Sequence, residues 1–452
     1  MNMTFSTDKV STLSDQYTAV QRADEAIFYL LLTNYLQPEQ LDSFFRAARL
    51  LSQTGRRREA AELIAGKIKA HPGELSLRKA FCEITNWSDD EIDAQLPKIQ
   101  SSHLDEFFYV RRCGSFDAPL SLWLCGFTDK IEANLTSSFV NNSGHDLLIA
   151  CLPKLRTVLK LDINRIVYAL CLDLRPKTVI LFSCGLTQVG GNVTPAILGF
   201  AKEKLNFGLA ALWIDMAKPL SSPLLRSYAP FTDAMAACDA QIAPHVAATY
   251  PSKCLNLWHV VNETELADRS EPKDIDVSFV GQITGNYEDR QPYIRRLEGM
   301  GVEHFVAGPD HGRYISHDKY AEVMRRSKII LNFSKFAISS IWDRHPVTKE
   351  YLSGGQSGDH VKGRVYEILH AGAVLLETAN NEIAKVLTPG ATYVPFTTPD
   401  DMEKQIRDLL ADDEKQRRIG EAGRALAQKE FTSANFWKKI FGTIEQNRPN
   451  SV

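Results

Sequence analysis

Hydrophobic residues in the first hundred positions recur at the spacing of helices. In the segment 42–51 they fall on one helical face, at Phe44, Phe45, Ala48 and Leu51. Gly55 interrupts this pattern, and the apolar positions of 58–70 predict a second helix that Pro72 terminates. The earlier segment 26–31 is apolar throughout. Residues 1–103 are therefore predicted to form a small all-helical region.

Small residues within this region lie where two antiparallel helices would approach closely. Ala48 and Ala60 belong to the two helices, Gly55 to the turn between them, and Pro72 follows the second helix. Counted from Leu41, this spacing resembles the 34-residue tetratricopeptide repeat (TPR). Two interpretations stay open: a TPR-like region that binds a macromolecule, or a helical extension that packs on the next domain.

Between residues 104 and 262 short apolar runs alternate with helical stretches. The runs predicted to be strands are 120–127, 146–152, 178–183, 210–214, 240–243 and 254–259. Helical stretches at 158–174 and 193–205 separate some of them. Strands that are apolar throughout and joined by helices form parallel sheets with both faces covered. This part is predicted to be a Rossmann-like domain.

The same alternation begins again after a polar segment, 262–273, which is predicted to be a hinge. The second set of predicted strands is 276–281, 304–307, 329–333, 374–377 and 392–394. The predicted fold class is α/β, with two Rossmann-like doubly wound domains facing a cleft. The predicted domains are 1–103, 104–262 and 263–452, and a ligand is expected at the carboxyl ends of the strands.

Charge and composition exclude several classes of partner. The formal net charge of −3 gives no field that would attract nucleic acid. No apolar run approaches the ~20 residues of a bilayer-spanning helix, and the first residues lack the pattern of a signal peptide. The eight cysteines form no CxxC pair. We therefore expect a cytoplasmic protein without integral membrane contact.

The most informative segment is 359–377, DHVKGRVYEILHAGAVLLE. It predicts a loop, a helix that begins near Lys362, a glycine turn and a strand. Amides at the start of a helix attract phosphate groups, and Lys362 and Arg364 add positive charge. Two carboxylates, Asp359 and Glu367, flank this helix start eight positions apart. They suit a ligand with hydroxyl groups at both ends of a diphosphate, such as a nucleotide sugar.

These residues resemble the acidic–seven–acidic motif of retaining GT-B glycosyltransferases. The run Lys-Gly-Arg-Val-Tyr-Glu-Ile at 362–368, and the segments 327–333 and 400–431, are more similar to the CgeB-like branch of that superfamily. The resemblance implies that Asp359 holds sugar hydroxyls and that Glu367 holds the nucleotide ribose. Asp359 stands where glutamate is commoner, and an aspartate at this place can instead cap its own helix.

Further candidates lie in loops that follow predicted strands. Gly281 and Gln282 form a turn where backbone can approach a phosphate, with Arg290 as a charge partner. Asn332, at the end of a strand, and Gly363, at the helix start, complete the predicted donor-binding residues. Three residues are predicted to be catalytic: Asp359, Lys362 and Asp215. Asp215 follows a strand of the earlier domain, where it would bind an acceptor, act as base or cap a helix.

Other chemistries have no support in the sequence. Phosphate-loop, zinc-helix and nucleophile-elbow motifs are missing, and His345, His360 and His370 lack metal-ligand spacing. His370, inside an apolar helix, is expected to be a core residue. No metal and no cofactor are expected, because helix amides and basic side chains can neutralise a leaving diphosphate.

The predicted function is that of a hexosyltransferase-type glycosyltransferase. It would move a sugar from a nucleotide-diphosphate donor to a glycan, protein or small molecule, with retention of configuration and without metal. A macromolecular acceptor would bind through the helical N-terminal region. Asp215 as a base would permit inversion instead. Two alternatives stay open: an inactive GT-B scaffold that serves as an interaction protein, and a nucleotide-sugar epimerase.

Overall fold

The computed structural model describes residues 6–99, 102–115, 117–125, 133–184, 193–214, 227–238, 244–267, 271–308, 315–336, 358–359, 361–379 and 381–448. The chain divides into two compact units. The first comprises residues 1–212, 227–235 and 444–452, and the second comprises residues 213–226 and 236–443.

The N-terminal region is entirely helical, as predicted. Its helices are α1 (Thr7–Ala19), α2 (Ala23–Leu36), α3 (Leu41–Gln53), α4 (Arg57–Ala70), α5 (Leu75–Thr85) and α6 (Asp89–Gln95), with 3-10 turns at Leu96–Lys98 and Leu104–Glu106. Helices α3 and α4 correspond to the predicted pair, and Gly55 between them adopts a left-handed φ of +84° that favours glycine. The repeat assignment itself stays a prediction.

Helix α2 is buried on every side. Its residues from Glu25 to Asn34 are all buried, which is the pattern of a core helix and not of a surface helix. Phe28 packs edge-on against Phe108 with ring centroids 5.3 Å apart. A helix with no solvent-facing side contributes to the core of the unit that contains it.

Polar contacts join these helices to a helix of the following α/β part, α9 (Ile163–Leu174). The hydroxyl groups of Tyr17 and Tyr29 donate to Asp173 Oδ2 at 2.6 and 2.9 Å. The buried carboxylate of Glu25 accepts from Arg165 at 3.0 and 2.9 Å. Buried carboxylates need such donors, so these contacts specify how α1 and α2 pack on α9.

The first sheet contains seven described strands in the order β1-β3-β2-β4-β5-β6-β7. Its strands are β1 (Phe108–Arg111), β2 (Leu120–Cys125), β3 (Asp146–Cys151), β4 (Thr178–Cys184), β5 (Gly208–Ile214), β6 (Ala234–Cys238) and β7 (Cys254–Leu257). The other described helices of this part are α7 (Ala133–Ser143), α8 (Leu152–Thr157), α10 (Pro195–Leu205) and α11 (Pro244–Thr249). Strand β2 pairs in parallel with β3 and β4, whereas the edge strand β1 is antiparallel.

Most strands predicted in this part are confirmed, with two additions. The predicted strand 240–243 lies outside the described residues. Strand β1 was not expected, because only its first residue is fully buried and its pattern is that of an edge. Strand β6 was not expected either, because its sequence, AMAAC, is rich in alanine, which is depleted in strands.

The second sheet contains five parallel strands in the order β14-β13-β10-β8-β9. They are β8 (Ile275–Val280), β9 (His304–Ala307), β10 (Ser327–Asn332), β13 (Val374–Thr378) and β14 (Val394–Phe396), beside a separate pair, β11 (Lys335–Phe336) and β12 (Gly358–Asp359). The described helices around it are α12 (Glu263–Ala267), α13 (Gln291–Glu298), α14 (His317–Arg326), α15 (Gly363–Ala371), α16 (Asn381–Ala384), α17 (Pro399–Leu410), α18 (Asp413–Glu430) and α19 (Ser433–Asn447). A 3-10 turn covers Gly285–Arg290.

The order of these five strands identifies where a ligand would bind. From β8 the chain proceeds to β9 on one side and then to β10 on the other. The sheet is therefore doubly wound, with its reversal of direction between β8 and β10. Loops at such a reversal separate and leave a crevice at the carboxyl ends of the two strands. The predicted fold class, α/β with two parallel sheets after an all-helical region, is confirmed.

Within the described ranges, no helix is both long and apolar enough to cross a bilayer.

The burial of α2 leads to a prediction about truncation. A chain that begins at residue 104 would expose the surface around Phe108 and remove both tyrosine donors from Asp173. We expect this 104–452 fragment to be insoluble, or to lack a cooperative unfolding transition when followed by circular dichroism. A soluble fragment that unfolds cooperatively would show that the helices are a separable module.

Two point variants of the full chain provide a matched comparison. Phe28 is 1% exposed, whereas Leu75 on α5 is 77% exposed. Phe28→Ala should lower the free energy of unfolding by about 3–5 kcal/mol because it opens a cavity in the core, and Leu75→Ala should leave it nearly unchanged.

Candidate functional site

The turn after β8 brings backbone segments unusually close together. The amide of Gly281 donates to the carbonyl of Ala307 at 2.8 Å. A Cβ atom at Gly281 would lie 2.9 Å from Phe279 Cζ and 3.1 Å from Arg364 Nη1, and one at Gly308 would lie 2.1 Å from the carbonyl oxygen of Gly281. A side chain at Gly308 would therefore displace backbone, and one at Gly281 would press on the Phe279 ring and the guanidinium. The predicted glycine turn at 281 is therefore a place of close approach, and Arg364 lies beside it.

Arg290 is a buried link between the two loops at the strand reversal. It is 3% exposed, and its Nη1 and Nη2 donate to the carbonyl oxygens of Gln282 and Phe333 at 2.9 and 3.4 Å. Gln282 follows β8 and Phe333 follows β10. The guanidinium therefore maintains the spacing of these loops. Its predicted role as a charge partner for phosphate stays a prediction.

Helix α15 begins at Gly363, with Lys362 at the N-cap position, so the predicted helix start is confirmed. The backbone of Lys362 is extended, and within the described residues no side chain caps the helix start. The imidazole of His259 covers Gly363, because a Cβ atom there would lie 2.9 Å from His259 Cγ. The helix ends at Gly372, whose φ of +64° is left-handed. The Val365 amide donates to the carbonyl oxygen of Lys362 at 3.0 Å, so an anion at this helix start would be met by the amides of Gly363 and Arg364.

The carboxylate of Glu367, one turn into α15, has a partner that the sequence did not indicate. The hydroxyl of Tyr320, on α14, donates to Glu367 Oε2. The positive charge of Arg364 also acts on the Tyr320 hydroxyl. Burial, followed by the charge of Glu367, raises the pKa of Tyr320 well above its usual value, although Arg364 opposes this effect. Tyr320 is therefore a protonated donor that stands between an arginine and a glutamate.

A second carboxylate, Glu377 at the end of β13, is completely buried. Its Oε1 accepts from the amides of Ser334 and Thr378 at 2.8 and 2.9 Å. Its Oε2 accepts from Asn332 Nδ2 at 2.5 Å. Burial raises the pKa of Glu377, and these hydrogen bonds oppose the rise. The predicted donor-binding residue Asn332 thus holds Glu377, which was not singled out although it ends an apolar strand.

The Glu377 network holds Ser334 at the start of the short strand pair β11 and β12. Ser334, held by Glu377, is followed directly by β11, and β11 pairs with β12 so that Lys335 lies opposite Asp359. The backbone of Asp359 is thereby returned to the carboxyl end of β10.

Some predicted residues fall elsewhere. Asp215, His345 and His360 lie outside the described residues. His370 is buried, and its Nε2 lies 3.2 Å from the carbonyl oxygen of Phe431, so it is a core residue as expected. In the described part of the chain, no group of three or more His, Cys, Asp or Glu residues is arranged to hold a metal ion.

The second unit therefore brings several of the predicted donor-binding residues close together within its own fold. The switch-point loops supply Gly281 and Gln282, and α15 supplies its amides together with Arg364 and Glu367. Tyr320 and Glu377 are additions from the structure. Both are recognisable only by contacts with residues that lie far away in sequence.

The Glu377 network leads to a prediction about stability. In Glu377→Gln, one carboxylate oxygen becomes an amide NH2 group. Either the backbone amides that donate to Oε1 or the Asn332 amide that donates to Oε2 then loses its acceptor. We expect a loss of about 1–3 kcal/mol in the free energy of unfolding, because unsatisfied buried polar groups are costly. Urea titration measures it, with the exposed Glu298→Gln as control. Equal stabilities of the two variants would contradict the network.

Three comparisons relate the chain to known proteins. Residues 265–442 match the model of a family described as glycosyl transferase-like. A search of curated proteins gives no match.

Among solved structures, a glycosyltransferase from Rickettsia africae ESF-5 superposes with a TM-score of 0.50 and 8% identity, over 74% of this chain and 99% of that one. Alr3699/HepE from Anabaena, in complex with UDP, has a TM-score of 0.48 and 9% identity, over 73% and 100%. A putative UDP-N-acetylglucosamine 2-epimerase from Listeria monocytogenes has a TM-score of 0.43 and 11% identity, over 74% and 99%.

The family match covers the whole five-stranded sheet and α15, and the Rickettsia likeness agrees with the GT-B fold class. Residues 265–442 of the second unit are therefore similar to a glycosyl transferase-like domain.

Proposed function

We propose that this protein is a glycosyltransferase whose nucleotide-diphosphate sugar donor binds at the carboxyl ends of β8 and β10. The observation that carries the proposal is the grouping of Gly281, Arg364 and Glu367 around the start of α15, inside the region that matches the family. A close backbone turn, the amides at a helix start, a guanidinium and a carboxylate are the groups that a nucleoside diphosphate requires.

Each group has a proposed task. The amides of Gly363 and its neighbours, with Arg364 and the turn at Gly281, bind the diphosphate. Glu367 accepts hydrogen bonds from the ribose hydroxyls, and Asp359 accepts them from the sugar. In the reaction, the bond between the anomeric carbon and the diphosphate oxygen breaks while a bond to the acceptor oxygen forms, and the acceptor hydroxyl gives its proton to the departing diphosphate.

The charge that develops on the departing diphosphate determines the catalytic requirement. Preorganised positive groups lower the energy of such a transition state more than they stabilise the ground state. Lys362, Arg364 and the helix amides supply them, so the proposed reaction needs no metal and no cofactor. The likeness of 359–367 to the retaining motif supports retention, and Asp215 as base is the route to inversion.

The finer parts of the proposal rest on the sequence. The run 362–368 supports the CgeB-like branch and a hexosyl donor. The helical repeat pattern supports a glycan or protein acceptor. The enzyme is proposed to be cytoplasmic. An inactive scaffold would bind the donor without turnover. An epimerase would convert the donor without any acceptor, and chromatography of the sugar nucleotide after incubation distinguishes it from a transferase.

Glu367 provides the first test. Glu367→Ala removes the acceptor for the ribose hydroxyls, so the dissociation constant for the nucleoside diphosphate should rise tenfold or more, as expected for hydrogen bonds to a charged group worth about 1.5–3 kcal/mol each. Isothermal titration calorimetry with UDP, GDP, ADP and CDP measures it.

Glu298→Ala, at an exposed position of the same unit, is the matched control and should bind as the wild type does. Unchanged affinity in Glu367→Ala would remove this carboxylate from the site.

Lys362 and metal removal provide the second test. Release of nucleoside diphosphate from UDP-sugars and GDP-sugars should survive EDTA. It should fall by ~10²-fold in Lys362→Ala if this residue acts as other preorganised charge stabilisers do.

The exposed Lys404→Ala on α17 controls for general loss of charge. Activity that EDTA abolishes and manganese or magnesium restores would overturn the proposed metal-independent chemistry, even with the donor site intact.

A further inference from the structure

Tyr320 connects the two charged groups of the proposed donor site. Its hydroxyl donates to Glu367 Oε2, and the positive charge of Arg364 acts on the same hydroxyl. A phenol can accept hydrogen bonds while it donates one, so the bond to Glu367 leaves the hydroxyl oxygen exposed to the guanidinium. The tyrosine hydroxyl is therefore hydrogen-bonded to the carboxylate and polarised by the guanidinium.

Arg364 and Glu367, the two charged groups around Tyr320, face different parts of the proposed nucleotide ligand. Arg364 Nη1 lies beside Gly281 in the turn proposed to approach the diphosphate. Its Nε is buried and has no hydrogen-bond partner among the described residues. Glu367 lies three residues further along α15, on the side proposed for the ribose. The separation of phosphate and ribose in a nucleotide is fixed, so the two side chains must keep a matching separation.

The hydrogen bond from Tyr320 also restricts the Glu367 carboxylate. Within the described residues, Tyr320 is the residue that hydrogen-bonds to Glu367, and it engages Oε2. The side-chain torsions of a half-buried glutamate are otherwise free to rotate, and a hydrogen bond to one oxygen orients the other. The raised pKa of Tyr320 means that its proton remains available for this bond throughout the neutral range.

We propose that Tyr320 is a positioning residue that orients Glu367 Oε1 towards the ribose 2′-hydroxyl and thereby makes donor binding selective for ribonucleotides. The proposal rests on the proposed function, because it assumes a nucleoside diphosphate at this site. Without the tyrosine hydroxyl, the carboxylate remains present but samples several rotamers. The site then loses the part of its affinity that depends on the ribose hydroxyl.

Selectivity for ribose over deoxyribose is the quantity that tests this role. UDP, GDP, ADP and CDP are first titrated into the wild-type chain by calorimetry, and the tightest ligand is compared with its 2′-deoxy analogue. We expect Tyr320→Phe to weaken binding of the ribonucleotide by about tenfold, as for a lost hydrogen bond to a charged group. The 2′-deoxy analogue should be affected much less, so the ratio of the two affinities should fall towards one.

Tyr293→Phe is the matched control. Tyr293 lies on α13 in the same unit, and its hydroxyl donates to the carbonyl oxygen of Thr397 at 3.0 Å. Its removal costs a hydroxyl hydrogen bond away from the site, so the ratio should stay at the wild-type value. A structural defect alone would weaken both ligands equally.

Glu367→Gln keeps the tyrosine and changes the other partner, so the proposal remains testable even where Tyr320→Phe folds poorly. If Tyr320 acts through Glu367, the double variant should discriminate no worse than Glu367→Gln alone. Further loss in the double variant, or an unchanged ratio in Tyr320→Phe, would overturn the inference. A wild-type chain that binds none of the four diphosphates would instead overturn the proposed function.

Discussion

Arg290 lies inside the second unit, where its guanidinium nitrogens donate to the carbonyl oxygens of Gln282 and Phe333. These carbonyls belong to the loops after β8 and β10, the two strands between which the sheet reverses its order. A buried guanidinium requires acceptors, and loop carbonyls at a sheet edge require donors. One side chain donates to both loops. The neighbouring residues Gly281 and Asn332 occupy defined positions at the strand ends as a consequence.

Two carboxylates near that edge, Glu377 and Glu367, have different roles because they differ in burial and in hydrogen bonding. Glu377 is fully buried and accepts hydrogen bonds from backbone and side chains on both oxygens, so it has no capacity left for a ligand. Glu367 is half-buried and receives its bond from Tyr320 on one oxygen. Within the described ranges, no hydrogen bond engages its other oxygen. The first carboxylate holds Ser334, which directly precedes β11, and the second is suited to bind a hydroxyl group.

The N-terminal helices are part of the core of the first compact unit and are not an appended module. Helix α2 has no exposed face. Asp173 of α9 accepts hydrogen bonds from α1 and α2, and Arg165 of α9 donates hydrogen bonds to α2. Burial on this scale means that the helices and the first sheet stabilise each other. A macromolecular acceptor that uses this region would bind a surface that is continuous with the first compact unit.

Local patterns determined much of this protein. Continuous apolar runs predicted most strands of both sheets, and the run around Lys362 and Gly363 predicted where α15 begins, because strand burial and helix starts depend on neighbouring residues. Strands β1 and β6 were not predicted, because β1 has the pattern of an edge strand and β6 is rich in alanine. The tertiary structure alone decided that Tyr320 bonds to Glu367, 47 positions away, and that Ser334 bonds to Glu377, 43 positions away. Such pairs arise where separate strands and helices meet, and no periodicity along the chain records which elements will be neighbours in space.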